Sequence, residues 1–192
     1  MPRNADTTYQ DPVDLIWLAT AGKFGMQVVR DDSVFASWDG NGKLTIGSPD
    51  TLDPDDCLAQ MILHEICHAL IEGPESFTKP DWGVDITNPT DRVREYACLR
   101  LQAALTGQYG LRQMLAATTN FRRYYDALST DSLADADDPA IEIARAGWTR
   151  AKQGPWSTTL DDALRQTAAI ASIVQSIAPR DSLWSRSEKL DH

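Results

Sequence analysis

The residues of this chain best placed to do chemistry are His64, Glu65 and His68, in the run His64-Glu65-Ile66-Cys67-His68. Residues four apart on an α-helix lie one above the other, so the two imidazoles can hold one metal ion with Glu65 beside it. This HExxH spacing is a zinc-binding pattern: zinc lowers the pKa of a bound water towards neutrality, and the carboxylate takes its proton. The chain has three histidines, and the third, His192, ends a polar tail. A catalytic zinc needs three protein ligands and an open position, so the third ligand is expected to be a carboxylate.

Glu95 is the choice for that ligand. It lies one turn into a later predicted helix, beside Gln102, at the edge of an arc containing Val93, Ala97, Cys98, Leu101 and Leu105. Asp81, Asp85 and Asp91 are its rivals, each in or bordering the loop after the motif. Glu72, one turn beyond His68, reads as an acceptor for a ligand's free ring N–H or as a solvated helix end. Arg92, Arg94, Arg100 and Tyr96 are candidates for stabilising an oxyanion, with surface ion pairing as the plainer reading of the arginines. The plainer reading of the motif is a structural helix with two stacked histidines, and of Glu95 a solvated surface residue.

The elements that must position these groups can be read from caps and periodicity. Asp11 and Pro12 open a predicted helix over Pro12–Ala21, which Gly22 and Gly25 break. Met26–Arg30, Val34–Trp38 and Lys43–Gly47 read as strands, the last two joined by the hairpin signal Asp39-Gly40-Asn41-Gly42. Asp53, Pro54, Asp55 and Asp56 are expected to start the motif helix, which runs to Glu72 and stops at Gly73-Pro74. A breaker-rich loop reaches Pro89, and Thr90 caps a helix over Asp91–Thr106. Leu111–Leu128, Pro139–Lys152 and Leu160–Ala178 also read as helices, with an acidic loop over Ser129–Asp138. The expected fold is α+β: a small antiparallel sheet followed by a mostly helical remainder, with the HExxH helix at the centre. One domain is expected over residues 1–192, with 1–11 and 180–192 flexible.

Composition narrows the partners. Hydrophobic residues make up 42% and charged residues 24%, the balance of a globular domain, and no apolar run is long enough to cross a bilayer. The formal charge of −10 and the lack of a basic cluster argue against nucleic acid and anionic membranes as partners. A basic peptide is easier to accommodate, although the charge also serves solubility. Cys57, Cys67 and Cys98, an odd set in apolar helical segments, read as buried free thiols in a reducing compartment, and the absence of an N-terminal signal core agrees with a cytoplasmic location.

Two family resemblances attach to these residues. His64-Glu65-x-x-His68 after a strand, followed on a later helix by Glu95-Tyr96-Ala97-Cys98, resembles the gluzincin metallopeptidases over roughly residues 43–105. That resemblance implies a zincin-like fold, His64, His68 and Glu95 as zinc ligands, and Glu65 as general base. The second is to the bacterial elongation factor P hydroxylases. It rests on His64-Glu65-Ile66-Cys67-His68, then Ile71-Glu72-Gly73, then Asp81-Trp82-Gly83. This one implies an iron-dependent protein hydroxylase, and two histidines with one carboxylate are also the ligand set of non-haem iron oxygenases. The expectation is a metal-dependent hydrolase, a zinc metallopeptidase acting on a peptide or protein substrate. Its alternatives are an Fe2+ hydroxylase and a non-catalytic, metal-stabilised binding domain.

Overall fold

The computed structural model describes residues 8–134 and 137–185. Among these residues the chain forms an α+β fold of six α-helices and one three-stranded sheet. Helix α1 (Pro12–Lys23) starts as its sequence demands. Asp11 caps it by accepting a hydrogen bond from the Val13 N–H at 2.8 Å, and Pro12 occupies the first turn, where its missing N–H costs nothing. The helix passes through Gly22 and ends at Lys23, and the chain turns away at Gly25, whose φ of +79° suits a residue without a side chain.

The sheet departs from the expected antiparallel arrangement. Strands β1 (Gln27–Arg30), β2 (Ala36–Trp38) and β3 (Lys43–Ile46) lie in the order β1-β3-β2. β2 and β3 pair antiparallel through the expected turn, but β3 runs parallel to β1, with Val28 opposite Leu44. Burial explains the order. Leu44 and Ile46 of β3 are fully buried, whereas the residues of β1 are at best half-buried, so the apolar strand takes the centre and pushes β1 to the edge.

Helix α2 (Leu58–Glu72) carries the motif and is the most enclosed element, with Ile62, Leu63, Ile66, Cys67 and Leu70 at its core face. Burying each of the larger aliphatic side chains contributes about 1.5–3 kcal/mol. It begins four residues later than the aspartates suggest. Cys57 is the cap, its Sγ accepting from the Gln60 N–H at 3.4 Å, because the carboxylates are engaged elsewhere. Asp55 pairs with Arg122, and Asp56 accepts hydrogen bonds from Thr118 and from the Asp53 N–H. At the far end Gly73, φ +82°, closes the helix.

Helix α3 (Pro89–Gly107) packs against α2 and is capped by Asn88, which accepts from the Thr90 N–H; Thr90 itself is inside the helix. The segment 111–128, expected to be one helix, is instead a series of turns ending in the short α4 (Arg122–Asp126). Its apolar residues Leu111, Met114 and Leu115 are buried, but the backbone is held by side chains: Gln102 donates to the Leu115 carbonyl, and Arg112 to the Leu128 and Ser129 carbonyls. Helix α5 (Ala140–Gln153) lies along α2 and α3 nearly as expected. Helix α6 (Ser157–Val174) is displaced towards the N-terminus relative to its expected span, and packs on α1, where Trp17 donates to Thr167 at 3.1 Å. No helix among the described residues is long and apolar enough to cross a membrane.

Candidate metal centre

Both ends of α2 are fixed, which sets where the motif stands. Below it is the Cys57 cap, and above it Arg150 of α5 donates to the Leu70 and Ile71 carbonyls at 2.7 and 2.9 Å, satisfying acceptors that a helix end leaves free. His64 and His68 emerge one turn apart on the face turned towards α3, their ring planes at 90°. Their Nε2 atoms are 3.2 Å apart. Glu95 of α3 meets both: Oε1 is 3.2 Å from His64 Nε2, and Oε2 is 3.1 Å from His68 Nε2. Four donor atoms from three residues therefore converge on one point. A metal about 2.0–2.1 Å from each of three donors, in a tetrahedron, sets those donors about 3.3–3.4 Å apart, so the residues fit a small divalent cation. Glu95 is 3% exposed, and its Oε1, though 3.2 Å from His64 Nε2, has no hydrogen-bond partner among the described residues.

The His64 tautomer is decided by a residue the sequence did not single out for that role. Gln102, fully buried on α3, donates its amide N–H to the Leu115 carbonyl at 2.8 Å, so its Oε1 must face His64 Nδ1, 3.0 Å away, as acceptor. The Nδ1 of His64 thus carries a ring proton, and Nε2, facing His68 and Glu95, is the nitrogen open to either a second proton or a cation. An outer carboxamide that orients a histidine in this way is part of how metal sites are built. Gln102 lies seven residues after Glu95, two turns along the same helix face, and that spacing is the signal that could have found it. The Nδ1 of His68, by contrast, is buried without a hydrogen-bond partner among the described residues.

Charge in the cluster is strongly coupled. Burial would push the His64 imidazole down, but the Glu95 carboxylate, with Glu65 and Gln102, holds it up at about 10. Burial would likewise raise the Glu95 carboxyl, and the two imidazoles instead hold it well below the usual carboxylate range. Three donors that can be balanced only by a captured proton or a cation are the electrostatic counterpart of the converging geometry.

Cys98 also approaches this cluster, within 4.8 Å of His64 and His68. Its thiol lies 3.7 Å from His64 Nδ1 and donates to the His64 carbonyl, so it meets the ring on the side turned away from Glu95. Burial pushes the thiol well above its ordinary range, with Cys67 next in effect. The Glu95 oxygens stand 3.1–3.2 Å from the imidazole Nε2 atoms, closer than the thiol stands to His64 Nδ1. The rivals have other partners: Asp81 accepts from the Ser37 hydroxyl and the Trp38 N–H, Asp85 from Thr87, and Asp91 from the Asp85 N–H. Glu72 is neither solvated nor at the imidazoles. Its side chain is buried and pairs with Arg94. His192 lies outside the described residues.

The cluster opens into a cavity of about 780 Å³, large enough for part of a peptide. Glu65 lines it with His64, His68 and Glu95, and its Oε2 accepts a hydrogen bond from the Trp82 indole at 2.8 Å. Trp82 is set by an unusual turn. Asp81 and Trp82 have φ of +45° and +59°, a region costly for residues with side chains. The turn is held by the two Asp81 bonds to β2 and by the stacking of Trp82 on Trp38, centroids 4.7 Å apart and planes at 1°. No helical spacing reveals a contact made in this way. Of the expected oxyanion groups, Arg94 and Arg100 are tied to Glu72 and Asp138, while Arg92 and Tyr96 line a neighbouring groove. Gln60, one turn before His64, lines the metal cavity instead, and its buried Oε1 has no partner among the described residues. Compared with protein-family models, with curated proteins and with solved structures, this chain finds no match in any of the three.

Proposed function

We propose that the chain is a zincin-like, metal-dependent hydrolase that cleaves a peptide or amide bond, with one zinc ion held by His64, His68 and Glu95. The observation that carries the reading is the convergence of His64, His68 and Glu95, with neighbouring donor atoms 3.1–3.2 Å apart, in a cavity that a fourth side chain, Glu65, also lines. The order of sheet, motif helix and glutamate helix supports the zincin-like assignment. The free state of all three cysteines suits a reducing compartment such as the cytoplasm.

A divalent cation bound there supplies a Lewis acid and a water of lowered pKa. The chain's own groups do the rest. Glu65 accepts a proton from the attacking water as its oxygen bonds to the carbonyl carbon, then delivers that proton to the amine nitrogen as the C–N bond breaks. The Trp82 indole holds the Glu65 carboxylate at one oxygen and leaves the other for the proton. Gln102 keeps His64 in the tautomer that presents Nε2.

The same two imidazoles and one carboxylate would also suit a ferrous ion, so an iron-dependent hydroxylase is the second reading. Glu65 separates the two, because only a hydrolase needs a base there. In the zinc-loaded protein Glu65→Gln is expected to keep its metal and lose turnover of unstructured peptides by about 10²–10⁴-fold. Measurement by elemental analysis and mass spectrometry, with and without dioxygen, decides the matter. Oxygen-dependent addition of one oxygen atom to an intact peptide overturns the hydrolase reading. Metal without turnover of either kind leaves a metal-stabilised binding domain.

A further inference from the structure

A second groove of about 820 Å³ adjoins the metal cavity, the two sharing Ile86, Asn120 and Phe121. Its chemistry is the reverse of the molecule's. In a chain carrying 28 acidic residues and a net charge of −10, no carboxylate among the described residues lines it, and two arginines, Arg92 and Arg123, do. Most other arginines are engaged: Arg94, Arg122, Arg145 and Arg165 with carboxylates, Arg112 and Arg150 with backbone carbonyls. Arg92 and Arg123 have neither kind of partner among the described residues, and both are exposed. Two guanidinium forks lining one groove with no carboxylate partner among the described residues can receive one from a ligand, since each presents donors that match a carboxylate.

The wall behind them is rigid. Tyr96 stacks on Tyr124, centroids 4.0 Å apart and planes at 10°, with Phe121 edge-on to Tyr96. The Tyr124 hydroxyl donates to Asp138 at 2.6 Å and accepts from Arg100 at 2.8 Å, so the stack is anchored to the core. Less ordering is then required when a ligand enters. Arg92 precedes Glu95 by three residues on α3, which makes them neighbours on the helix surface with Cβ atoms about 5–6 Å apart. Two of the three residues shared by the cavities are apolar, and one of them, Ile86, is half exposed.

We infer that this groove is the subsite for an acidic residue of a peptide substrate, whose carboxylate is held by Arg92 and Arg123 while an apolar neighbour rests on Ile86 and Phe121. The inference deepens the metallohydrolase reading and rests on it for what happens in the adjoining cavity. Arg92 stands one helical turn from Glu95, so the acidic residue belongs close in sequence to the bond cleaved. The local preference for an anion opposes the preference for basic partners that net charge suggests, because screening confines an exposed charge to about a Debye length.

The test is fluorescence anisotropy with labelled, C-terminally amidated hexapeptides carrying one leucine and, two positions later, aspartate, asparagine or phosphoserine. The aspartate peptide is expected to bind the wild-type protein about tenfold more tightly than its asparagine twin at low salt. That gap should close in Arg92→Gln/Arg123→Gln, whose exposed positions leave the melting temperature unchanged, and should shrink on adding salt. It should persist in metal-free His68→Ala, so a failed metal reading and a failed anion subsite give different results. Equal binding of the aspartate and asparagine peptides overturns the inference, as does a gap that survives in the double variant. A phosphoserine peptide more than tenfold tighter than the aspartate one overturns the assignment to a carboxylate.

Discussion

Two cavities meet at Ile86, Asn120 and Phe121, and they treat their charged groups in opposite ways. In the metal cavity every ionisable side chain is committed: His64 and His68 to Glu95, Glu65 to Trp82, Asp81 to β2 and Asp85 to Thr87. In the adjoining groove the arginines are uncommitted among the described residues, while the aromatic wall is fixed. Commitment is what chemistry needs, since a ligand or base must be aimed before substrate arrives. Exposure and freedom suit recognition, which tolerates small displacements and contributes less energy per contact.

The contrast breaks most sharply if the committed groups prove dispensable. His68→Ala or Glu95→Ala is expected to reduce bound metal from about one per chain to near none, and to lower the melting temperature of protein prepared with zinc, because a ligand bound only by the native state stabilises it. Full metal occupancy in Glu95→Ala, alongside its loss in Cys98→Ala, would transfer the third position to the thiol.

A smaller effect is expected one layer out. Gln102→Leu keeps the volume of the side chain but removes the acceptor at His64 Nδ1, and should weaken zinc affinity by about 10–100-fold, measured by competition with a chromophoric chelator. Unchanged affinity would show that Gln102 serves only to hold the Leu115 carbonyl.

The metal-free protein offers a test by pH. Folding raises His64 from its ordinary 6.5 to about 10, so this contribution is complete below 6.5 and is lost as pH climbs through about 10. Glu95 is depressed from its ordinary 4.5, so its contribution is present above 4.5 and is lost as pH falls. Chelated protein should therefore melt highest between about pH 4.5 and 6.5 and lose stability steadily towards pH 10. The zinc-loaded protein should show little of that alkaline loss. Parallel curves for the two forms would mean that no proton replaces the metal.

The smallest effect belongs to the second groove. Arg92→Gln and Arg123→Gln should leave metal content unchanged and stability within about 0.5 kcal/mol of wild type, as exposed substitutions without partners do. A larger loss, measured by denaturant unfolding, would place these arginines in the fold rather than at a ligand.

What could be read from the sequence was what is local. Asp11 and Pro12 start α1, Gly73 ends α2, and the four-residue spacing puts His64 and His68 on one face. Long-range pairings overrode local signals elsewhere. Asp55 and Asp56 look like a helix start, yet they engage Arg122 and Thr118, more than sixty residues away in the chain, and α2 begins at Leu58. β3 looks like the partner of β2 alone, yet it also pairs with β1, because the hairpin signal says nothing of its other edge. The segment 111–128 has apolar residues enough for a helix, but side chains from elsewhere hold its carbonyls. In the site, the meeting of Glu95 with both imidazoles was foreseeable from chemistry, whereas Trp82 and its bond to Glu65 depend on a turn that no periodicity announces.

That turn also bears on how the protein would respond to selection. Asp81 and Trp82 occupy a backbone region that glycine enters freely, at a cost of about 1–3 kcal/mol each. A library screened for heat resistance alone would be drawn to Trp82→Gly as a release of that strain, set against the stacking on Trp38 that it forfeits. Such winners would lose the only donor seen on the Glu65 carboxylate among the described residues. Breeding this scaffold for robustness and breeding it for turnover would therefore pull position 82 in opposite directions.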